Sequence, residues 1–164
     1  MPEQFEIRIR KEALKFAAAH MTVFKDGTKE ALHGHQYLPT LTLALKSSTF
    51  DDMVPFSDFK KAMKKIAIAW DEKVLLATEN PHYKKIKQTR DSLEFTLCKK
   101  RYLLPRDEVV LLKTDNITCE SLARAYFAHL SEELKKEFAD QNVLSIQVYI
   151  EESPGQGAAY TYVK

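Results

Sequence analysis

The chain has 164 residues, 45% of them apolar and 29% charged, which suits one domain with a real core and excludes a disordered or fibrous chain. Basic and acidic residues number 25 and 23, for a net charge of +2, so charge gives no reason to expect nucleic acid or an anionic membrane as a partner. Two cysteines without paired spacing exclude a disulfide scaffold, and the absence of a long apolar run excludes a membrane-spanning helix.

In chain order, the opening Met1-Pro2-Glu3-Gln4 is not signal-like, and a cytoplasmic location is the expectation. Phe5, Ile7 and Ile9 alternate with charged residues and predict a half-buried strand. Phe16 to His20 predicts a second strand, with Phe16, Ala18 and His20 on one face. Lys25-Asp26-Gly27-Thr28 is a turn. A long strand follows from about His33 to Leu45, with an edge or bulge at Pro39. Ser57 to Trp70 predicts a helix with a buried stripe of Phe59, Met63, Ile66 and Trp70, and Ser57 and Asp58 suit its N-terminus.

From about Val74 to Leu112 the pattern is mixed, and short strands or extended segments of an insertion are expected there. Thr118 then predicts an N-cap, followed by a helix with Leu122, Tyr126, Leu130, Leu134 and Phe138 at four-residue steps. Leu144, Ile146, Val148 and Ile150 alternate in a strand, and after the turn at Pro154 to Gly157 a last strand covers Ala158 to Val163. Strands flanking two helices argue for an α+β fold, an antiparallel sheet with both helices on one face. The lysine pairs Lys60–Lys61, Lys64–Lys65 and Lys84–Lys85 and the run Lys99–Lys100–Arg101 read first as solvated faces.

The sharpest chemical feature is His33-Gly34-His35. Two histidines two apart on a strand project from the same face, and their imidazoles can share one metal ion. An open catalytic zinc site needs a third protein ligand, and His20 on the neighbouring predicted strand supplies it. Glu30 lies three residues before His33, where a turn places a carboxylate beside the metal. The competing account is a set of surface or hydrogen-bonded histidines.

Phe16-Ala17-Ala18-Ala19-His20 followed by Glu30-Ala31-Leu32-His33-Gly34-His35-Gln36-Tyr37 resembles the 6-pyruvoyl-tetrahydropterin synthase and 6-carboxy-tetrahydropterin synthase family. The segments Phe56 to Lys60, Trp70 to Leu75, Asn116 to Ala123 and Val148 to Pro154 resemble further family motifs in the same order. The resemblance implies a T-fold spanning residues 1–164, whose insertion near 74–112 is longer than in short members. It implies Zn2+ held by His20, His33 and His35, and a pterin ring anchored by Glu152. Glu120 has a sufficient structural account in the first helical turn.

Two departures from the family pattern matter. No cysteine precedes His-Gly-His; Glu30 stands there, as in the branch that cleaves 7,8-dihydroneopterin triphosphate to 6-hydroxymethyl-7,8-dihydropterin, a folate precursor. The usual Asp-His pair reads Asp71-Glu72, so Glu72, His82 or His129 would complete a proton relay with Glu30 and Asp71. The resemblance thus implies a lyase, of carbon–oxygen or aldolase-like type. Its alternatives are the 6-carboxy or 6-pyruvoyl product, a relative that binds a pterin or purine without turnover, or a protein that uses the fold for assembly only. It also implies a homohexamer built as a dimer of trimers, with active sites at subunit interfaces and neither nucleic acid nor membrane as a partner.

Overall fold

The computed structural model describes residues 4–164; most of the Met1–Gln4 segment read above lies outside them. Ten strands and three helices follow one another: β1 (Phe5–Arg10), β2 (Phe16–His20), β3 (His33–Leu45), α1 (Phe56–Trp70), β4 (Lys73–Ala77), β5 (Tyr83–Gln88), β6 (Ser92–Leu97), β7 (Lys100–Pro105), β8 (Val109–Leu112), α2 (Cys119–Glu133), α3 (Lys135–Ala139), β9 (Val143–Ser153) and β10 (Gln156–Val163).

The thirteen-residue β3 organises the main sheet. It pairs antiparallel with β9 from Leu38 to Leu45, with β1 from Thr40 to Leu45, and with β2 from His33 to Tyr37. Pro39 falls between the stretches that β1 and β2 occupy, where β3 has neither as a partner and a missing N–H is tolerated. The antiparallel core is extended at one end by β4 and β8, which run parallel to their neighbours. Each of these strands returns after a long excursion: α1 leads into β4, and a separate antiparallel sheet of β5, β6 and β7 precedes β8.

The helices cover one face. The α1 stripe Phe59, Met63, Ile66 and Trp70 is buried, as is the α2 stripe Leu122, Tyr126 and Leu130, against Leu41, Leu43, Ile146, Val148 and Ile150 of the sheet. The Tyr126 hydroxyl donates to the Met63 carbonyl at 3.0 Å, so its one polar atom ties α2 to α1. The four-residue steps continue through Leu134 and Phe138, but the helix breaks at Leu134 into α3.

Two local expectations change. The first helix begins at Phe56 behind Pro55, with no side-chain cap, so Ser57 and Asp58 are already inside it, and Asp58 contributes its charge to the first turn and pairs with Lys61 at 3.5 Å rather than capping. In β9 a register shift opposite Ala44 and Leu45 bulges Leu144 out of the alternation, and Val143 takes the buried place. Thr118 caps α2 as expected, its hydroxyl oxygen accepting from the Ser121 amide at 3.3 Å. No described helix is long and apolar enough to cross a membrane.

Candidate metal centre and ligand cleft

The register of β2 against β3 builds the site. Phe16 pairs with Tyr37, Ala18 with His35 and His20 with His33. One face therefore runs from a buried aromatic pair, Phe16 on Tyr37 with ring centres 5.3 Å apart, through small Ala18, to three imidazoles. Their ring centres are 4.6, 5.3 and 4.8 Å apart. Gly34 lies across from Ala19, and a Cβ there would stand 3.2 Å from the Ala18 carbonyl oxygen, so glycine keeps the two strands close.

The imidazoles fit a divalent metal ion. One ligand atom from each of His20, His33 and His35 lies within 4.8 Å of the others. Nδ1 of His20 is 3.0 Å from the Ile117 carbonyl oxygen, and Nδ1 of His33 is 2.9 Å from that of Ala31. A carbonyl only accepts, so both Nδ1 atoms carry the proton and both Nε2 atoms are left with a lone pair. Nε2 of His20 is buried without a hydrogen-bond partner, a costly state that a cation in the cleft would relieve. Carbonyl acceptors behind metal-binding histidines fix ring orientation and raise ligand basicity. Burial pushes the His20 pKa below its usual value, opposed by the Ile117 carbonyl and reinforced by His33.

The histidines open into a cleft of about 390 Å³, walled by Thr22, Glu30, Thr118, Cys119, Glu120, Glu152 and the start of β10. Glu30 is held by the Thr22 amide, which donates to its Oε2 at 3.3 Å, and hydrogen bonding to Thr22 holds the carboxyl below the usual carboxylate range. The loop that carries Glu30 rests on the β5–β7 sheet. Met21 joins the core of that sheet with Leu93, Phe95 and Leu97, and Lys29 sits 5.3 Å over the Tyr102 ring while donating to the Glu30 carbonyl at 2.8 Å. Glu152 points Oε1 at two of the imidazoles, 3.3 Å from Nε2 of His35 and 3.6 Å from Nε2 of His20.

The cleft does not gather every expected residue. Asp71 ends α1, and its Oδ1 accepts from the Ala17 amide at 2.7 Å. Glu72 adopts a left-handed backbone, φ 57°, with its amide donating to the Ala17 carbonyl at 2.6 Å. Glu72 borders a separate hollow with Ala17, Ala19, Gly34, His35 and Gln36, of which His35 alone also lines the cleft. His82 packs against Gly27, and His129 stands edge-on to Trp70 at 5.7 Å; neither lines the cleft.

Cys119 is in the cleft although its sequence spacing gave it no role. Burial, with the Glu152 charge beside it, pushes its thiol up to about 12, so it is a neutral wall rather than a nucleophile. Glu120, read first as structural, also reaches the cleft, and hydrogen bonds to its own amide and to Thr118 hold its pKa down. The available signal was the N-cap itself, because Thr118 aims the first turn of α2 at the histidines.

A sheet with its helices on one face, and at a carboxylate-rimmed cleft three convergent histidines that could hold a metal ion, defines a protein of the T-fold class with a candidate metal centre. The chain belongs to the 6-pyruvoyl tetrahydropterin synthase family, whose model matches residues 8–162. It is 34% identical over 149 residues, covering 90% of this chain and 89% of the relative, to a Methanocaldococcus jannaschii protein provisionally named 6-carboxy-5,6,7,8-tetrahydropterin synthase. Among solved structures it is similar to the 6-pyruvoyl tetrahydropterin synthase of Plasmodium vivax, with a TM-score of 0.85, 24% identity and 99% of both chains covered. Two further structures of that protein carry Cys or Ala in place of a glutamate described as its catalytic residue. The Plasmodium falciparum enzyme superposes with the same TM-score at 22% identity, covering 98% of this chain and 99% of its own.

Proposed function

We propose that the chain is a zinc-dependent pterin lyase that cleaves the side chain of 7,8-dihydroneopterin triphosphate to give 6-hydroxymethyl-7,8-dihydropterin, the folate branch of the family. The observation that carries this is Glu30, a carboxylate in the wall of the histidine cleft at the place where the motif otherwise has a cysteine. A glutamate described as catalytic in the P. vivax relative supports the same role here.

His20, His33 and His35 would hold the zinc, which when bound supplies Lewis-acid polarisation of the oxygens on the substrate side chain. Glu30, kept ionised by Thr22, would take the proton of the hydroxyl on the second side-chain carbon, so that the bond to the first carbon breaks and a two-carbon aldehyde carrying the triphosphate leaves. It would return the proton to the first carbon to complete the hydroxymethyl group. Glu152 accepts two parallel hydrogen bonds from the ring N–H and amino groups and so aims those carbons at the histidines. Cys119, neutral and half-buried, closes the cleft beside Glu152. Asp71 and Glu72 stand outside this protomer's cleft and would serve a cleft only from a neighbouring copy, which fits a homohexamer working in the cytoplasm.

The M. jannaschii relative favours a second reading, in which the product is 6-carboxy-tetrahydropterin. Incubating the zinc-loaded protein with 7,8-dihydroneopterin triphosphate and identifying the product separates the two. The hydroxymethyl product is expected; the 6-carboxy product would replace the first reading with the second. Bound pterin with no product would leave a binding protein.

A further inference from the structure

We propose that Glu152 is a fourth protein ligand of the metal in the resting protein, and that it leaves the metal when it takes the ligand ring, the second half resting on the pterin assignment above. Atoms bound to zinc at about 2.0–2.1 Å in a tetrahedron lie about 3.4 Å from one another. Glu152 Oε1 lies 3.3 and 3.6 Å from two of the candidate nitrogens. Those match two of the three edges that would meet at a carboxylate corner, and a small turn of Glu152 towards His33 would close the third.

The hydrogen-bond pattern leads to the same place. A neutral His20 carries its proton on Nδ1, against the Ile117 carbonyl, so its Nε2 presents a lone pair. That lone pair faces a carboxylate oxygen 3.6 Å away in a place where the His20 side chain is 4% exposed and that of Glu152 16%. Two acceptors held face to face away from water are unfavourable, and a cation between them turns the repulsion into coordination.

Glu152 also has somewhere to go. The Tyr37 hydroxyl and the Cys119 thiol both lie beside its carboxylate. Tyr37 is fully buried, and its hydroxyl makes no well-formed hydrogen bond although the Glu152 carboxylate lies within reach of one. A carboxylate that swings off the metal gives that hydroxyl an acceptor while both of its oxygens turn to a planar pair of N–H donors. With both oxygens turned to a planar pair of donors, Oε1 leaves the direction in which it now faces the two imidazoles. Capture of a ring by Glu152 therefore vacates the fourth corner, which Glu152 occupies until a ligand arrives.

The test uses cobalt(II) as a spectroscopic stand-in for zinc. Metal-free wild type and Glu152→Gln are titrated with cobalt and with zinc against a chromophoric chelator, their folding compared by circular dichroism. The variant is expected to bind both metals at least about tenfold more weakly, and its cobalt absorption to differ from that of wild type before any ligand is added. Neopterin is then expected to shift the cobalt bands of wild type towards those of the variant. Glu152→Asp, shorter by one methylene, should show the same metal loss and serves if the first variant does not fold. Equal metal affinity and unchanged cobalt bands in the variants would overturn the proposal. Weakened metal binding with no response to neopterin would keep Glu152 as a ligand and remove the pterin assignment instead.

Discussion

At the scale of residues, Glu30 and His20 make separable predictions. Glu30 touches no histidine through a hydrogen bond; the partner of its carboxylate is the Thr22 amide. Glu30→Gln keeps the shape and that acceptor but removes the base, so turnover should fall by about 10²-fold or more. Zinc content by metal analysis should stay at the wild-type level, and full activity would remove Glu30 from the chemistry. His20 makes a prediction about stability. Burial lowers its pKa below the ordinary 6.5, so between that value and the lowered one the unfolded chain binds more protons than the folded one. The metal-free protein should therefore lose stability as pH falls below 6.5, by at most about 1.4 kcal/mol per pH unit from this group, the loss ending once pH is below the folded value. Thermal unfolding of metal-free wild type and His20→Gln across that window reads it; equal slopes would clear His20. The three histidines and Glu30 were legible because period-two alternation and a short turn are local. Cys119 was not legible in that way, since it meets Glu152 only through the packing of α2 against β9 and β10.

At the scale of elements, β1, β2, β3, α1 and β10 were read to within a residue or two, whereas the second helix breaks at Leu134 rather than running through Phe138 and β9 extends three residues past Ile150. The misreadings fall where a neighbour overrides local preference. Pro55 starts α1 one residue early, and the Leu144 bulge is set by pairing with β3. The insertion gave only a mixed pattern because its sheet is small: the alternating Leu93, Phe95 and Leu97 of β6 are buried, while most of β5 and most of β7 are exposed. The turn into β10 carries a sharper demand. A Cβ at Gly157 would overlap the Ile150 carbonyl oxygen and come within 2.8 Å of the Tyr149 ring. Gly157 sits at a register shift between β10 and β9 and also lines the cleft. Gly157→Ala should cost about 1–3 kcal/mol in thermal or urea unfolding, because a main-chain oxygen must move. The same strain should weaken ligand binding while leaving metal content unchanged, since β10 carries none of the histidines. A variant as stable as wild type would mean that β9 and β10 separate there at no cost.

At the scale of the whole molecule, the sheet ends in an edge that a lone protomer does not manage. β10 offers eight residues without proline or a charged side chain, and Tyr162 and Val163 are exposed large hydrophobics on it. Such an edge is a template for another strand, and closure with further copies removes it. Successive residues of a strand direct their N–H groups to opposite edges, so of Thr161 and Tyr162 one points its amide at β9 and the other outward. Thr161→Pro and Tyr162→Pro, made separately, should therefore split. One should break the β9 pairing and lower the unfolding temperature. The other should leave the protomer folded but reduce the mass in light scattering from that of the proposed hexamer to a single 18.9 kDa protomer or a small fragment of the assembly. If Glu72 serves a neighbouring cleft, the dissociated variant should also keep its zinc and lose turnover, because its histidines come from one chain. A variant that is dispersed yet fully active would place the whole site within one protomer and leave Asp71 and Glu72 as the clasp that holds α1 to β2.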